Sequence, residues 1–270
     1  MKKGIKRLIH IAFLFMAVFP FVSSCIVSLG DYPGYQVGRS LIEYHKSVSL
    51  RPGGTLSLEN VNGNVEIVGW DRDELEMYVE RNVTHSPSWL TRWQPWWRVA
   101  PRIDFDKFED FIKIKALPAR RGENLPAYDF YLNVPHHIQL KNIVSRNGDI
   151  VVADLYGEIV IELTEGNVKV ENFSGSLLVS LGEGSVEADL VDLRSEDEIR
   201  ISTENGDIVL YLESSARASV EANAPDGKII NAFFPEKIPS SGKIAFELGE
   251  GGTYISLYSA SGDIHIKEFK

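Results

Sequence analysis

The middle of the chain repeats one pattern of polar and apolar residues every nine positions. Five glycines mark the repeat: Gly148, Gly157, Gly166, Gly175 and Gly184. The residues two and four positions after each glycine are all apolar, beginning with Ile150 and Val152 and ending with Val186 and Ala188. Side chains two residues apart lie on one face of a β-strand, and glycine suits a tight turn. Each block therefore predicts a turn followed by a short strand.

The same pattern recurs less regularly outside the middle segment, after Gly63, Gly206, Gly227, Gly242 and Gly262. A sandwich of antiparallel hairpins would also give short strands with regular turns. The constant register favours a β-solenoid instead, because equivalent positions would then stack on successive coils about 4.8 Å apart. The simplest coil holds two of the nine-residue blocks. We predict an all-β fold, a single-domain β-solenoid similar to a parallel β-helix, over residues 45–270.

One segment, residues 86–127, interrupts the repeat as a tryptophan-rich insertion. It holds four of the five tryptophans, with two arginines among them: Trp89, Arg92, Trp93, Trp96, Trp97 and Arg98. Tryptophan and arginine are enriched at interface hot spots, and indole rings also suit membrane interfaces and the faces of sugars. The cluster is therefore a candidate binding surface for a protein, a glycan or a membrane. The alternative is that the rings cover an open end of the solenoid.

The first 24 residues have the order of a secretory signal peptide. Basic residues at the start are followed by an apolar run over residues 8–22 and by the small residues Ser23 and Ser24. This order is typical of exported proteins. The apolar run has about 15 residues, whereas a membrane-spanning helix needs roughly 20. We expect export and cleavage, with an uncleaved signal anchor as the alternative.

The sequence from Val22 to Cys25 resembles the lipobox of bacterial lipoproteins, in which the cysteine receives a diacylglycerol and becomes the first residue. Cys25 is the only cysteine of the chain. A single cysteine in an exported protein must pair with another chain, stay free or be modified. The resemblance implies lipidation of Cys25 and attachment to a membrane in the bacterial cell envelope. Gly30, Pro33, Gly34 and Gly38 disfavour regular structure, so we predict a lipidated tether over residues 25–44. In Gram-negative sorting, Ile26 after the cysteine favours the outer membrane.

The charge of the chain bears on its partners. The whole chain has 28 basic and 38 acidic residues, and the signal peptide carries four of the basic ones, so the mature chain has a net charge of −14. An acidic protein repels phosphate backbones, which argues against nucleic acid as a partner. The chain gives no indication of a cofactor, and its oligomeric state is left open.

Acidic residues at three turns raise the question of a metal site. Asp149, Asp207 and Asp263 each follow a turn glycine. The calcium-binding nonapeptide repeat has a similar period but needs additional glycines in each turn. We therefore expect these residues to form turn hydrogen bonds, and we predict no metal site.

Two segments resemble a known family. The run RPGGTLSLENVNGNVEIVGWDRDELEMYVERN, residues 51–82, is similar to the start of the putative-adhesin domain family of bacterial envelope proteins. Residues 132–163 are similar to the middle of that family. The resemblance implies an all-β domain built from repeats and implies little about activity.

These observations predict a non-catalytic envelope lipoprotein whose solenoid presents a binding surface, as an adhesin does. One alternative is a periplasm-facing structural or assembly lipoprotein that docks a partner protein. A second is a carbohydrate-active β-helix enzyme. Residues 25–270 contain neither an HExxH nor a GxSxG motif, and no convergent pair of catalytic groups is apparent in the sequence.

Overall fold

A computed structural model describes residues 39–84, 102–117, 127–236 and 242–269. All regular structure in these residues is β, and none of them forms a helix able to cross a membrane. The strands in chain order are β1 Arg39–Ser49, β2 Thr55–Glu59, β3 Val65–Trp70, β4 Glu74–Thr84, β5 Ile103–Phe108, β6 Phe111–Ala116, β7 Tyr128–Pro135, β8 Gln139–Asn147, β9 Ile150–Ala153, β10 Tyr156–Glu165, β11 Val168–Glu183, β12 Val186–Leu190, β13 Glu198–Asn205, β14 Ile208–Glu213, β15 Ala218–Asn223, β16 Ile229–Asn231, β17 Lys243–Leu248, β18 Thr253–Ser261 and β19 Ile264–Phe269.

The strands form two faces of one coil. Sheet A has the order β1, β4, β7, β3, β9, β11, β12, β14, β19 and β16. Sheet B has the order β5, β6, β2, β8, β10, β11, β13, β18, β15 and β17. Strand β11 has 16 residues and belongs to both sheets. The central strands are parallel, so the β-solenoid prediction is confirmed.

The strand register explains the nine-residue repeat. Ile150 is paired with Val168, and Val168 with Val186, so each of these successive coils holds two nine-residue blocks. The glycines nine residues apart alternate between the two sheets, because Gly157 is paired with Gly175 in sheet B. The next coil is longer by four residues, since Val186 is paired with Ile208. The two-block coil inferred from the sequence is thus the unit of the middle segment.

Apolar ladders from the two sheets fill the interior. In sheet A one ladder runs through Val65, Ile150, Val168, Val186, Ile208, Ile264 and Ile229. In sheet B a matching ladder runs through Leu56, Leu140, Ile159, Leu177, Ile199, Ile255 and Val220. All fourteen side chains are buried. Burying one such side chain contributes about 1.5–3 kcal/mol, so the ladders are the main source of stability.

Glycines stack at one edge of the coil, where sheet B strands turn into sheet A strands. A Cβ atom added to Gly148 would clash with the carbonyl oxygen of Gly63, and one added to Gly166 would clash with that of Gly148. The series continues through Gly184, Gly206 and Gly262. At each of these glycines φ lies between 105° and 157°, which L side chains rarely adopt. We call this stack the glycine column.

The structure differs from the sequence prediction at two boundaries. Strand β1 begins at Arg39 and pairs with β4, so residues 39–44 extend the sheet although we assigned them to the tether. Within the predicted insertion 86–127, residues 103–116 form the hairpin β5–β6, and β6 pairs in parallel with β2. Both departures involve antiparallel pairing at the end of the coil, where the nine-residue pattern does not apply.

Substitution of a column glycine is expected to destabilise the fold. Gly184→Ala places a methyl group against the carbonyl oxygen of Gly166 at a φ of 132°. We expect a loss of about 3 kcal/mol or more in the free energy of unfolding, measured by urea denaturation. Gly53→Ala is the matched control, because Gly53 also has a positive φ, of 83°, but open space around its Cβ position. The control should lose only about 1–2 kcal/mol; equal losses would contradict the role of the column.

Candidate functional site

The residues that the sequence singled out most strongly lie outside the described part of the chain. These are the predicted lipidation site and the predicted binding cluster: Cys25, Trp89, Arg92, Trp93, Trp96, Trp97 and Arg98. Their roles stay predictions.

The turn residues form a ladder of hydrogen bonds beside the glycine column. The backbone N–H of Asn167 donates to Oδ1 of Asp149 at 2.8 Å, and that of Asp263 donates to Oδ1 of Asp207 at 2.8 Å. The Asp263 carboxylate in turn accepts from the N–H of Lys228 at 2.8 Å. Each bond links one coil to the next, whereas the sequence predicted bonds within each turn. Among the described residues no group of three or more acidic, histidine or cysteine side chains could hold a metal ion.

Removing one hydrogen bond between neighbouring coils is expected to lower the stability of the fold. Asp149→Ala leaves the N–H of Asn167 without its acceptor and should cost about 1–2 kcal/mol of unfolding free energy. Asp149→Asn keeps an acceptor oxygen and should stay within about 0.5 kcal/mol of the wild type. Thermal unfolding with and without added calcium provides the measurement. A calcium-dependent rise in the melting temperature of the wild type that Asp149→Ala abolishes would contradict a purely structural ladder.

A row of outward-facing side chains crosses sheet B at right angles to the strands. Successive members are paired in the strand register across β8, β10, β11, β13, β18, β15 and β17. They are Val144, Glu162, Ser180, Ser202, Tyr258, Asn223 and Lys243. Six steps between strands at about 4.8 Å give a length of roughly 29 Å. We call this row and its immediate neighbours the polar trough.

Small side chains make the row a depression. Ser180 and Ser202 form its middle, and Gly182 lies beside them. One hollow of about 650 Å³ lies over this part, and a second of about 420 Å³ lies over Asn223 and Lys243. Both hollows are lined by Tyr258, whose side chain is 41% exposed. Tyr258 therefore lines both of the adjoining hollows, on the strand between Ser202 and Asn223.

The trough is lined by groups that form hydrogen bonds and by uncompensated carboxylates. Thr164 and Ser256 add hydroxyl groups to those of the two floor serines. Glu162 and Glu204 line the larger hollow, and neither forms an ion pair within the described part of the chain. These groups suit a polar ligand that presents hydroxyl or cationic groups.

Next to the trough, a second tyrosine of β18 is held in place by charged neighbours. The Tyr254 hydroxyl donates to Oε2 of Glu221 at 2.9 Å, and the Arg200 guanidinium lies 5.9 Å from the centre of its ring. The bond to Glu221, together with burial, raises the pKa of Tyr254. Tyr254 lines neither hollow. Two tyrosines of similar exposure on one strand thus differ in their surroundings.

Sheet A presents a charged cluster centred on Lys169. Its ammonium group lies 2.5 Å from a carboxylate oxygen of Glu171 and 3.9 Å from one of Glu187. Asp189 lies close by, with a buried Oδ1 that has no hydrogen-bond partner in the described residues. Burial raises the pKa of Asp189, and the negative charges of Glu187 and Glu171 raise it further. The cluster is held together by one cation among three carboxylates.

The raised pKa of Asp189 predicts the sign of its effect on stability. A carboxyl with a higher pKa in the folded state favours folding when protonated, so the ionised form destabilises the fold at neutral pH. Asp189→Asn should therefore raise the melting temperature at pH 7, and the gain should vanish below the ordinary pKa of aspartate. Melting curves from pH 3 to pH 8 measure this. Glu66→Gln is the control, because it removes one carboxylate from an exposed position of sheet A and should leave the melting temperature unchanged.

The sequence contained only part of the signal for the trough. The alternation of apolar and polar residues along each strand predicts that the members of the trough point outward. However, Ser202 of β13 is paired with Tyr258 of β18, although four other strands lie between β13 and β18 in the chain. The nine-residue spacing does not relate these two residues, so the sequence does not predict that they are paired.

Comparison with known proteins relates this geometry to a family. Residues 136–267 match the profile of the Toastrack DUF4097 family, which confirms the resemblance to an adhesin-type β-repeat domain in that segment. No curated protein sequence matches the chain.

Three solved structures are similar to the chain. A putative cell adhesion protein from Clostridium sporogenes ATCC 15579 is 14% identical with a TM-score of 0.48, covering 84% of this chain and 100% of its own. A putative adhesin from Bacteroides fragilis NCTC 9343 is 12% identical with a TM-score of 0.36, covering 89% and 100%. A putative lipid binding protein from Parabacteroides distasonis ATCC 8503 is 10% identical with a TM-score of 0.28, covering 85% and 97%. At these TM-scores the similarity carries no information on what this chain binds.

Proposed function

We propose that this chain, whose residues 136–267 match the Toastrack family, is a non-catalytic lipoprotein of the bacterial cell envelope that binds an external partner as an adhesin does. The observation that carries the proposal is the polar trough, which crosses seven strands of a rigid sheet. Stacked coils present an extended face, and such faces suit large partners.

Attachment to the envelope is the second part of the proposal. The signal peptide of residues 1–24 and the lipobox ending in Cys25 support it. A lipoprotein cysteine carries more than one acyl chain, which makes attachment lasting. The outer membrane is the proposed location in a Gram-negative cell, because Ile26 follows the cysteine.

The chemistry of the trough suits the binding of a polar partner. Among the described residues, neither histidine nor cysteine lines the two hollows, and the polar groups are hydroxyls, carboxylates, an amide and one ammonium. These groups can form hydrogen bonds and ion pairs with a ligand. The proposed role is therefore to hold a partner.

Protease treatment of intact cells tests the exposure that adhesion requires. We expect protease to remove the wild-type domain from whole cells, because an adhesin must face outward. When cells are grown with a labelled fatty acid, the wild type should take up the label and the Cys25→Ala variant should not, because it lacks the sulfur that carries the lipid. The readout is the amount of membrane-associated domain before and after treatment.

A periplasmic protein that is not a lipoprotein serves as the control for envelope integrity. Protection of the wild-type domain until the outer envelope is opened would contradict adhesion and support the periplasm-facing assembly role. Incorporation of labelled fatty acid into Cys25→Ala would contradict lipid anchoring at this residue.

A further inference from the structure

The polar trough has features that specify the class of its ligand. It runs across the strands, so a ligand along it meets a new side chain about every 4.8 Å and reaches an edge of the sheet only at β17, where the row ends. The backbone groups of its central strands are already paired with neighbours on both sides, as for β11 between β10 and β13. Strand addition by a peptide is therefore not available along this face. The ligand must be recognised by side chains alone.

The side chains of the trough suit a carbohydrate better than a peptide. Peptides are usually bound through pockets for apolar side chains. Here the outward positions carry Ser180, Ser202 and Ser256, whereas Leu163 and Leu181 at the margins point inward and are buried. The hydroxyl groups of these serines can form hydrogen bonds with the hydroxyl groups of a sugar. Tyr258 offers the face of an exposed ring, on which the apolar face of a sugar can stack.

The charge of the trough selects among carbohydrates. Glu162 and Glu204 lie in the larger hollow without ion pairs in the described residues, whereas nearby carboxylates are engaged: Glu158 with Lys141 at 3.4 Å and Glu198 with Arg200 Nε at 2.6 Å. The two hollows together hold three carboxylates, those of Glu162, Glu204 and Glu221, against the one ammonium group of Lys243. The trough therefore repels an anionic polymer and attracts a cationic one. Amino groups on a sugar chain would provide the missing partners.

We propose that the polar trough binds a linear polysaccharide that carries free amino groups, with its sugar faces on Tyr258 and its amines beside Glu162 and Glu204. This inference rests on the binding role proposed above and names the ligand class of that same face. It requires no residue outside the described part of the chain.

Calorimetric titration of the full-length protein in detergent tests the proposal with three six-sugar probes. The probes are a β-1,4-linked glucosamine oligomer with free amines, its fully N-acetylated counterpart and an oligogalacturonate. The titrations are run at pH 6, below the ordinary pKa of an amine and above that of a glutamate. The free-amine oligomer should bind at least about threefold more tightly than the acetylated one, and the oligogalacturonate should not bind. Added salt should reduce this preference.

Two variants separate stacking from charge. Tyr258→Ala should weaken binding of the free-amine oligomer about tenfold. Tyr131→Ala should leave it unchanged, because Tyr131 is similarly exposed but lies on sheet A, outside both hollows. Replacing both Glu162 and Glu204 with glutamine should abolish the preference for free amines. The control is the double variant Glu66→Gln and Glu268→Gln, which removes the same charge from exposed positions of sheet A. Melting temperatures confirm that each variant is folded.

Each outcome decides the proposal. Equal binding of the free-amine and acetylated oligomers would overturn the assignment of the carboxylates. Unchanged binding by folded Tyr258→Ala would overturn the location. If none of the probes binds while intact cells still expose the domain to protease, the ligand class is wrong and the adhesive role stands. If the domain is protected in intact cells but the free-amine oligomer binds at the trough, the site stands and the adhesive role fails.

Discussion

The close approach of backbone to backbone at the glycine column is the constraint on which the rest of the structure depends. Coils can stack at the spacing of hydrogen-bonded strands only if nothing separates them at the turns. At Gly166 and Gly184 a Cβ atom would clash with a carbonyl oxygen of the coil before. The positive φ at these positions imposes the same requirement independently. A glycine at this turn of each coil from Gly63 to Gly262 is therefore a condition for the apolar ladders to stay in register.

The hydrogen-bond ladder of the turns follows from that spacing. Once the coils are close, the side chain after each column glycine reaches the backbone of the adjacent coil, as Asp149 does with Asn167. Asn, Asp and Ser are short enough to make this bond, and all three occur in the ladder. The acidic turns thus stabilise the stack through neutral backbone donors. This accounts for carboxylates that the sequence alone allowed to be read as metal ligands.

A rigid stack determines what the outer faces can do. Several surface carboxylates are matched locally: Glu59 lies 2.9 Å from Lys113 and contacts Lys115, and these hydrogen bonds lower its pKa. The trough departs from this arrangement, because Glu162 and Glu204 have no such partner in the described residues and the floor between them consists of small hydroxyl side chains. Side chains fixed on a sheet are pre-organised, so a ligand does not have to order them on binding. The carboxylates of Glu162 and Glu204, held on a pre-organised sheet face, are the physical basis for proposing a polysaccharide with free amino groups as the ligand.

The sequence by itself determined the fold class and the repeat unit, because alternation and glycine spacing are local properties of the chain. Gly148, Gly166 and Gly184 were sufficient to predict a solenoid with two blocks in each coil. The start of β1 at Arg39 and the hairpin of residues 103–116 were not predictable in this way, since they depend on antiparallel partners outside the repeat. The trough was decided by the tertiary structure alone: Val144, Ser202, Tyr258 and Lys243 become neighbours in one row through pairings between strands that are far apart in the chain. Local spacing fixes which way a side chain points, but only the order of the strands in the sheet decides which side chains it stands beside.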